Sequence, residues 1–191
     1  MTEFFFSRCK IYAGAEAEEK DLRLCHEEWY LRELRKVING DQVMPERYDS
    51  IYVCKGTWVA ACCAVGTVIE ASKQVMVGKT KSAVAVVRPP GHHAEATKAF
   101  GFCFFNNVAI AARVLLRDKL ASKIVIIDWD IHHGNGTQKE FWNDKSVLYF
   151  SVHRTDLFPY QDGGEDGECS QVGDKDDRGH NIIAFDMHQW S

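Results

Sequence analysis

The segment that most constrains this chain is Ile124-Val125-Ile126-Ile127, an apolar β-rich run leading straight into Asp128-Trp129-Asp130-Ile131-His132-His133-Gly134-Asn135-Gly136. A short apolar run of this kind reads as a strand. Side chains alternate along a strand, so a continued pleat would put Asp128, Asp130 and His132 on one face, with Trp129 and Ile131 turned into packing. Two carboxylates and an imidazole would then converge at a strand's end. That donor set suits zinc, with a coordination position left open for water. The plainer alternative is a polar turn with Gly134 and Gly136 as turn residues. Strict alternation of three donors favours the metal.

Other runs give the chain its rhythm. Ile51–Cys54, Ala83–Val87, Ser146–Val152 and Asn181–Phe185 read as further strands, the second as one covered on both faces. Helices are expected over about 21–38, 57–76, 105–118 and 136–142, with Asn39-Gly40-Asp41 as a turn after the first. Residues 154–180 are polar and rich in Gly and Asp, hence a long loop. Strands alternating with helices imply an α/β fold with a mostly parallel sheet flanked by helices. Ligands in such sheets bind beyond the carboxyl ends of the strands, where the polar clusters of this chain mostly fall. No repeat or linker divides the sequence, so one domain is expected.

A second polar cluster, Pro89-Pro90-Gly91-His92-His93-Ala94-Glu95, follows the 83–87 run. The prolines and glycine fix the backbone and allow close approach to a site. Adjacent histidines point apart in extended backbone, which suits a proton-handling pair better than one shared metal. A rigid exposed turn is the competing reading. In Ala99-Phe100-Gly101-Phe102-Cys103-Phe104-Phe105-Asn106-Asn107, the spacing makes Phe104 and Phe105 core residues and leaves Gly101-Phe102 as channel candidates. Ser151-Val152-His153-Arg154, with Phe158-Pro159 beyond, is a strand end that pattern alone does not single out.

Composition closes off other classes. Over 191 residues, 46% are apolar and 26% charged, with a net charge of -4 and so no electrostatic footprint for nucleic acid. The seven cysteines are odd in number and include no CxxC pair, which argues against a disulfide framework or thiolate zinc site and for a reducing compartment. The opening MTEFFFSRCK is too short and polar for a signal peptide, and no apolar run approaches the ~18 residues of a membrane span. A cytoplasmic or nuclear protein is expected.

The segments VRPPGHHAE, GFCFFNNVAIAAR, DWDIHHGNGTQ and SVLYFSVHR, in this order, closely resemble the zinc-dependent histone deacetylases, class II branch. LCHEEWY and YDSIYV are most similar to class IIb, cytoplasmic-type catalytic domains. The resemblance runs from about residue 20 to about residue 183 and implies the arginase–deacetylase fold. It implies Asp130 and His132 as zinc ligands and moves Asp128 to a supporting role, accepting a hydrogen bond from His92. His93 becomes the general base, oriented by Asn135 where class I members carry Asp; a neutral partner leaves the imidazole less basic. Gly101 and Phe102 would line an acyl-lysine channel opposite Phe158, and Ser50 would contact the substrate backbone. Potassium is implied at Asp128, Asp130, His132, Ser151 and Val152, with a second alkali-metal site at Phe141 and Val147. The implied reaction is metal-assisted hydrolysis of acetyl-lysine to lysine and acetate. The partner is an acetylated protein, either a histone or a non-histone protein of the tubulin-like cytoskeletal kind. An acetylpolyamine substrate is an alternative within the same chemistry.

The family's third zinc-ligand Asp and its oxyanion Tyr lie in later segments that this sequence does not contain. The expected organisation is therefore a divergent segment over 1–20, a partial catalytic domain over 21–185, incomplete on its C-terminal side, and an unrelated tail over 186–191. A truncated isoform acting only through partner binding is the alternative function.

Overall fold

In a computed structural model, which describes residues 9–159, 167–168, 170–173 and 182–186, the 124–127 run forms β1 (Ile124–Asp128). Three parallel strands lie in the order β1, β2 (Val147–His153) and β3 (Ile182–Asp186). The β1–β2 register runs from Ile124 opposite Val147 to Asp128 opposite Ser151. Two strand ends therefore deliver polar side chains next to one another. The described part of the 154–180 loop holds no α-helix or strand, only a 3-10 residue at Gly167, and the rest, with Cys169 and residues 187–191, lies outside the described residues.

The expected helix over 21–38 is two pieces, α1 (Glu19–Leu22) and α2 (Glu28–Asn39). The break serves buried His26. Its Nδ1–H donates to the Glu95 carbonyl at 2.9 Å, and its Nε2 accepts from the Asn106 N–H at 3.0 Å. Helix α2 buries Tyr30, Leu31, Leu34, Val37 and Ile38, one stripe at helical spacing, and ends on Gly40 in the left-handed region (φ 82°). Helix α3 (Thr57–Met76) packs against α4 (Asn107–Arg117) through Ala61, Cys62, Val65 and Ile69 on one side and Ile110 and Val114 on the other. The Asn106 side chain caps α4 by accepting from Ala109 N–H. Helix α5 (Asn135–Glu140) follows the Asp/His cluster. Phe104 and Phe105 belong to the core, as their spacing suggested.

Three expectations are corrected. Ile51–Cys54 and Ala83–Val87 are not strands: neither joins a ladder, and Val84 and Val86 are 88% and 93% exposed. Their composition suits strands, but strand formation needs a partner, and the sheet offers none there. Trp129 and Ile131 do not turn into packing but stand exposed, as do Val125 and Ile127. Among the described residues that face of β1 is left open to solvent, and the strand ends at Asp128, before Trp129. Third, α3 is by length and composition apolar enough to cross a membrane. Ala61, Cys62, Val65 and Ile69 on one side of it pack in the core, while Val59 and Met76 are exposed.

Candidate active site

The site lies where the 89–95 turn, the segment after β1 and the first turn of α5 meet. Backbone bonds hold them together: the Gly136 and Thr137 N–H groups both donate to the His92 carbonyl, at 3.0 and 3.2 Å. Gly134 allows the approach, since a Cβ there would lie 2.4 Å from Tyr149 Oη and 2.5 Å from Asp128 Oδ2.

Two histidine dyads stand side by side, their ring centroids 4.1 Å apart. His92 Nδ1–H donates to Asp128 Oδ2 at 2.9 Å, and His93 Nδ1–H donates to Asn135 Oδ1 at 2.8 Å. The same Asp128 oxygen accepts the Tyr149 hydroxyl at 2.8 Å. Burial pushes the Asp128 carboxyl up, but the His92 bond and charge, with the Tyr149 and Asp130 N–H donors, outweigh it and leave it below the ordinary range. Burial drives Tyr149 well above its ordinary value, with the Asp128 charge adding to it, so the phenol remains a donor. Burial, and then the neighbouring His92, lowers His93 to about 4, so its ring is neutral at pH 7.

Asp130 and His132 meet, but not through a continued pleat. Each step past β1 is a side-chain-to-backbone bond two residues long: Asp128 Oδ1 accepts from Asp130 N–H at 3.1 Å, and Asp130 Oδ1 from His132 N–H at 2.8 Å. These turns bring His132 Nδ1 to 3.0 Å from Asp130 Oδ1, with both side chains partly exposed. Donors about 2.0–2.1 Å from a tetrahedral zinc lie about 3.3 Å apart, so this pair fits as two ligands of one ion. Among the described residues, no group of three or more His, Cys, Asp or Glu forms a metal-holding cluster.

Around the dyads lies an aromatic patch. Phe158 packs on Phe100 (centroids 4.7 Å) and edge-on against His93 (5.0 Å). Gly101 sits beneath it with φ 52°; a Cβ there would lie 2.6 Å from the His93 ring and 2.7 Å from Phe158. Phe102, also at positive φ (64°), is 56% exposed, its N–H bonded to the Ser50 carbonyl at 3.0 Å. Phe100, which the sequence did not single out, is thus the ring that meets Phe158. Ser50 too has positive φ (54°).

Of the positions implied for potassium, buried Ser151 lies opposite Asp128 in the ladder, with its Oγ 2.8 Å from His153 Nδ1. Val152 follows on β2, and Phe141 and Val147 are fully buried behind the site. A cavity of about 180 Å³ includes Cys25, His26, Glu95, Asn106 and Lys139 in its lining, but neither His93 nor His132.

Sequence reasoning missed Tyr149, and it missed buried His133, whose Nε2–H donates to Gln138 Oε1 at 2.7 Å. The alternation Tyr149-x-Ser151-x-His153 on one strand face was the available signal for the first. No spacing pattern marks the second.

Paired histidines with carboxylate and amide partners, and an Asp–His pair, thus meet beside the carboxyl end of β1 in a parallel α/β sheet, an arrangement suited to handling protons. The comparisons name the family. Residues 2–189 match the histone deacetylase domain. The chain is 43% identical to histone deacetylase 18 of Arabidopsis thaliana and 41% identical to histone deacetylase 5 of the same plant. Each match covers 92% of this chain and 27% or 28% of the relative. Against histone deacetylase HDA1 of Candida albicans it is 43% identical over 87% of this chain and 21% of that one. The chain belongs to the histone deacetylase family, and it spans about a quarter of the length of these curated relatives.

Proposed function

We propose that this chain is the base-and-metal part of a zinc-dependent lysine deacetylase of class II type with the arginase–deacetylase fold, its catalytic portion running from 21 to 185. The observation that carries the reading is the His93–Asn135 hydrogen bond of 2.8 Å beside the Asp130–His132 pair. Holding the hydrogen on Nδ1 leaves the His93 Nε2 lone pair to take a proton from an attacking water and return it to the leaving lysine amine. His92, held by Asp128, keeps a second imidazole beside the first. Asp130 and His132 would hold the zinc, which polarises the acyl carbonyl and acidifies water when bound. Phe158, Gly101 and Phe102 would flank the acyl-lysine chain, with Ser50 at the peptide backbone. Potassium would sit at Asp128, Ser151 and Val152, with Phe141 and Val147 framing a second ion. Acetylated histones or other acetylated proteins of the nucleus or cytoplasm are the proposed substrates.

The test uses the 191-residue chain as it is. Bound zinc is measured by elemental analysis, and acetyl-lysine peptide turnover with and without a hydroxamate. Where the chain binds zinc and turns over substrate, His132→Ala should lose the zinc, and His93→Ala should reduce turnover by roughly 10²–10⁴-fold with zinc retained. Loss of zinc from His93→Ala would overturn the base assignment. Absence of both zinc and turnover in the parent chain would leave a partner-binding role instead.

A further inference from the structure

We propose that Glu95 is a positioning residue that decides which end of the Asn135 amide faces His93, and so which ring nitrogen of His93 carries the hydrogen; this rests on reading His93 as the base. An amide is ambivalent, with an acceptor at one end and donors at the other. Asn135 turns Oδ1 to His93 Nδ1 at 2.8 Å and Nδ2 to Glu95 Oε1 at 2.7 Å. Its other Nδ2 contact, the His93 carbonyl at 3.4 Å, is too long to choose the orientation alone. A reversed amide would set Oδ1 against the Glu95 carboxylate, two acceptors face to face, and would offer Nδ2 to His93 Nδ1. That nitrogen would then have to accept, moving the ring hydrogen to Nε2 and removing the lone pair the base needs. An ionised carboxylate has no donor with which to tolerate the reversed amide.

Glu95 is itself held in place. Lys139 Nζ lies 2.9 Å from Oε1, the Glu95 N–H donates to the Lys98 carbonyl at 3.1 Å, and the Glu95 carbonyl accepts from buried His26 at 2.9 Å. The side chain is 17% exposed. The chain of control runs from His26 and Lys139 through Glu95 and Asn135 to His93. Within it, only Glu95 contacts the donor end of the amide at short range.

The test is the 15N spectrum of the histidine rings in the full chain at pH 7.5, with the His93 signals assigned by their loss in His93→Ala. The parent should show hydrogen on Nδ1 and the unprotonated signature on Nε2. Glu95→Ala should lose that preference, giving the reverse pattern or an average. Glu95→Met, which keeps the chain length, should do the same, so a folding failure of the Ala variant leaves the test standing. Glu95→Gln retains an acceptor but adds a donor end that tolerates the reversed amide, so it should give a pattern between those of the parent and Glu95→Ala. Adding Asn135→Asp to Glu95→Ala should restore it, because a carboxylate has no donor end to present. Retention of the parent pattern in both Glu95→Ala and Glu95→Met would overturn the proposal. So would loss in Glu95→Gln as complete as in Glu95→Ala. The tautomer is read without substrate or zinc, so it can fail while His93→Ala still abolishes turnover, and the reverse.

Discussion

Acid should unfold this protein well above the range in which carboxylates titrate. His26, His93 and His133 are buried and neutral, and burial is the first cause holding them at about 4, about 4 and about 3. In the unfolded chain each titrates near 6.5. Between about pH 6.5 and 4 the unfolded state therefore binds more protons. The stability these groups contribute is present above that window and is lost as pH falls through it. At about 1.4 kcal/mol per proton per pH unit, each costs about 2 kcal/mol by pH 5, or about 6 kcal/mol for the three. That is comparable to the whole stability of a typical domain, about 5–15 kcal/mol. His26 shows why the fold cannot adapt: a proton added at Nε2 would face the Asn106 N–H, donor against donor. Urea unfolding followed by tryptophan fluorescence at pH 7.5, 6 and 5 measures the effect. The midpoint should fall steeply, and His26→Gln should remove about a third of the dependence. A midpoint unchanged between pH 7.5 and 5, or a full slope in His26→Gln, would refute the reasoning.

Further substitutions probe the site and the sheet edge. Tyr149→Phe leaves Asp128 Oδ2 short of a buried donor and should cost about 1–3 kcal/mol in urea unfolding. Gly101→Ala places a methyl 2.6 Å from the His93 ring at positive φ, and should cost about 1–3 kcal/mol and shift the His93 ring resonances. Ile127→Lys on the exposed edge strand should change stability by less than about 0.5 kcal/mol while reducing light scattering on concentration. A loss of several kcal/mol there would mean that Ile127 is buried in solution.

Much of the fold was legible because it depends on local pattern. Helix α3 begins and ends where its apolar composition does, and β1 and β2 follow their β-rich runs to within a residue. Ala83–Val87 has the same composition and forms no strand, since pairing depends on a distant neighbour that composition does not encode. The two dyads join residues that match family motifs. Their supports lie in the same matching segments, but which of them pair was not legible: His26 reaches Glu95 across 69 residues and Asn106 across 80, and Asn135 reaches Glu95 across 40. Bonds at such separations leave no spacing signature. The Asp130–His132 meeting was anticipated for the wrong local reason, since turns rather than a pleat bring the two together.

The parallel register that sets Asp128 opposite Ser151 has one more consequence. Neighbouring strands are spaced by the hydrogen-bond ladder at about 4.8 Å, whatever side chains pack around them. The baseline of the site is therefore measured by peptide groups, which every residue supplies alike. Core substitutions can drain the stability of this chain while the distance between those two anchors barely changes. The sheet works here as a fixed gauge, and the chemistry is mounted on its graduations.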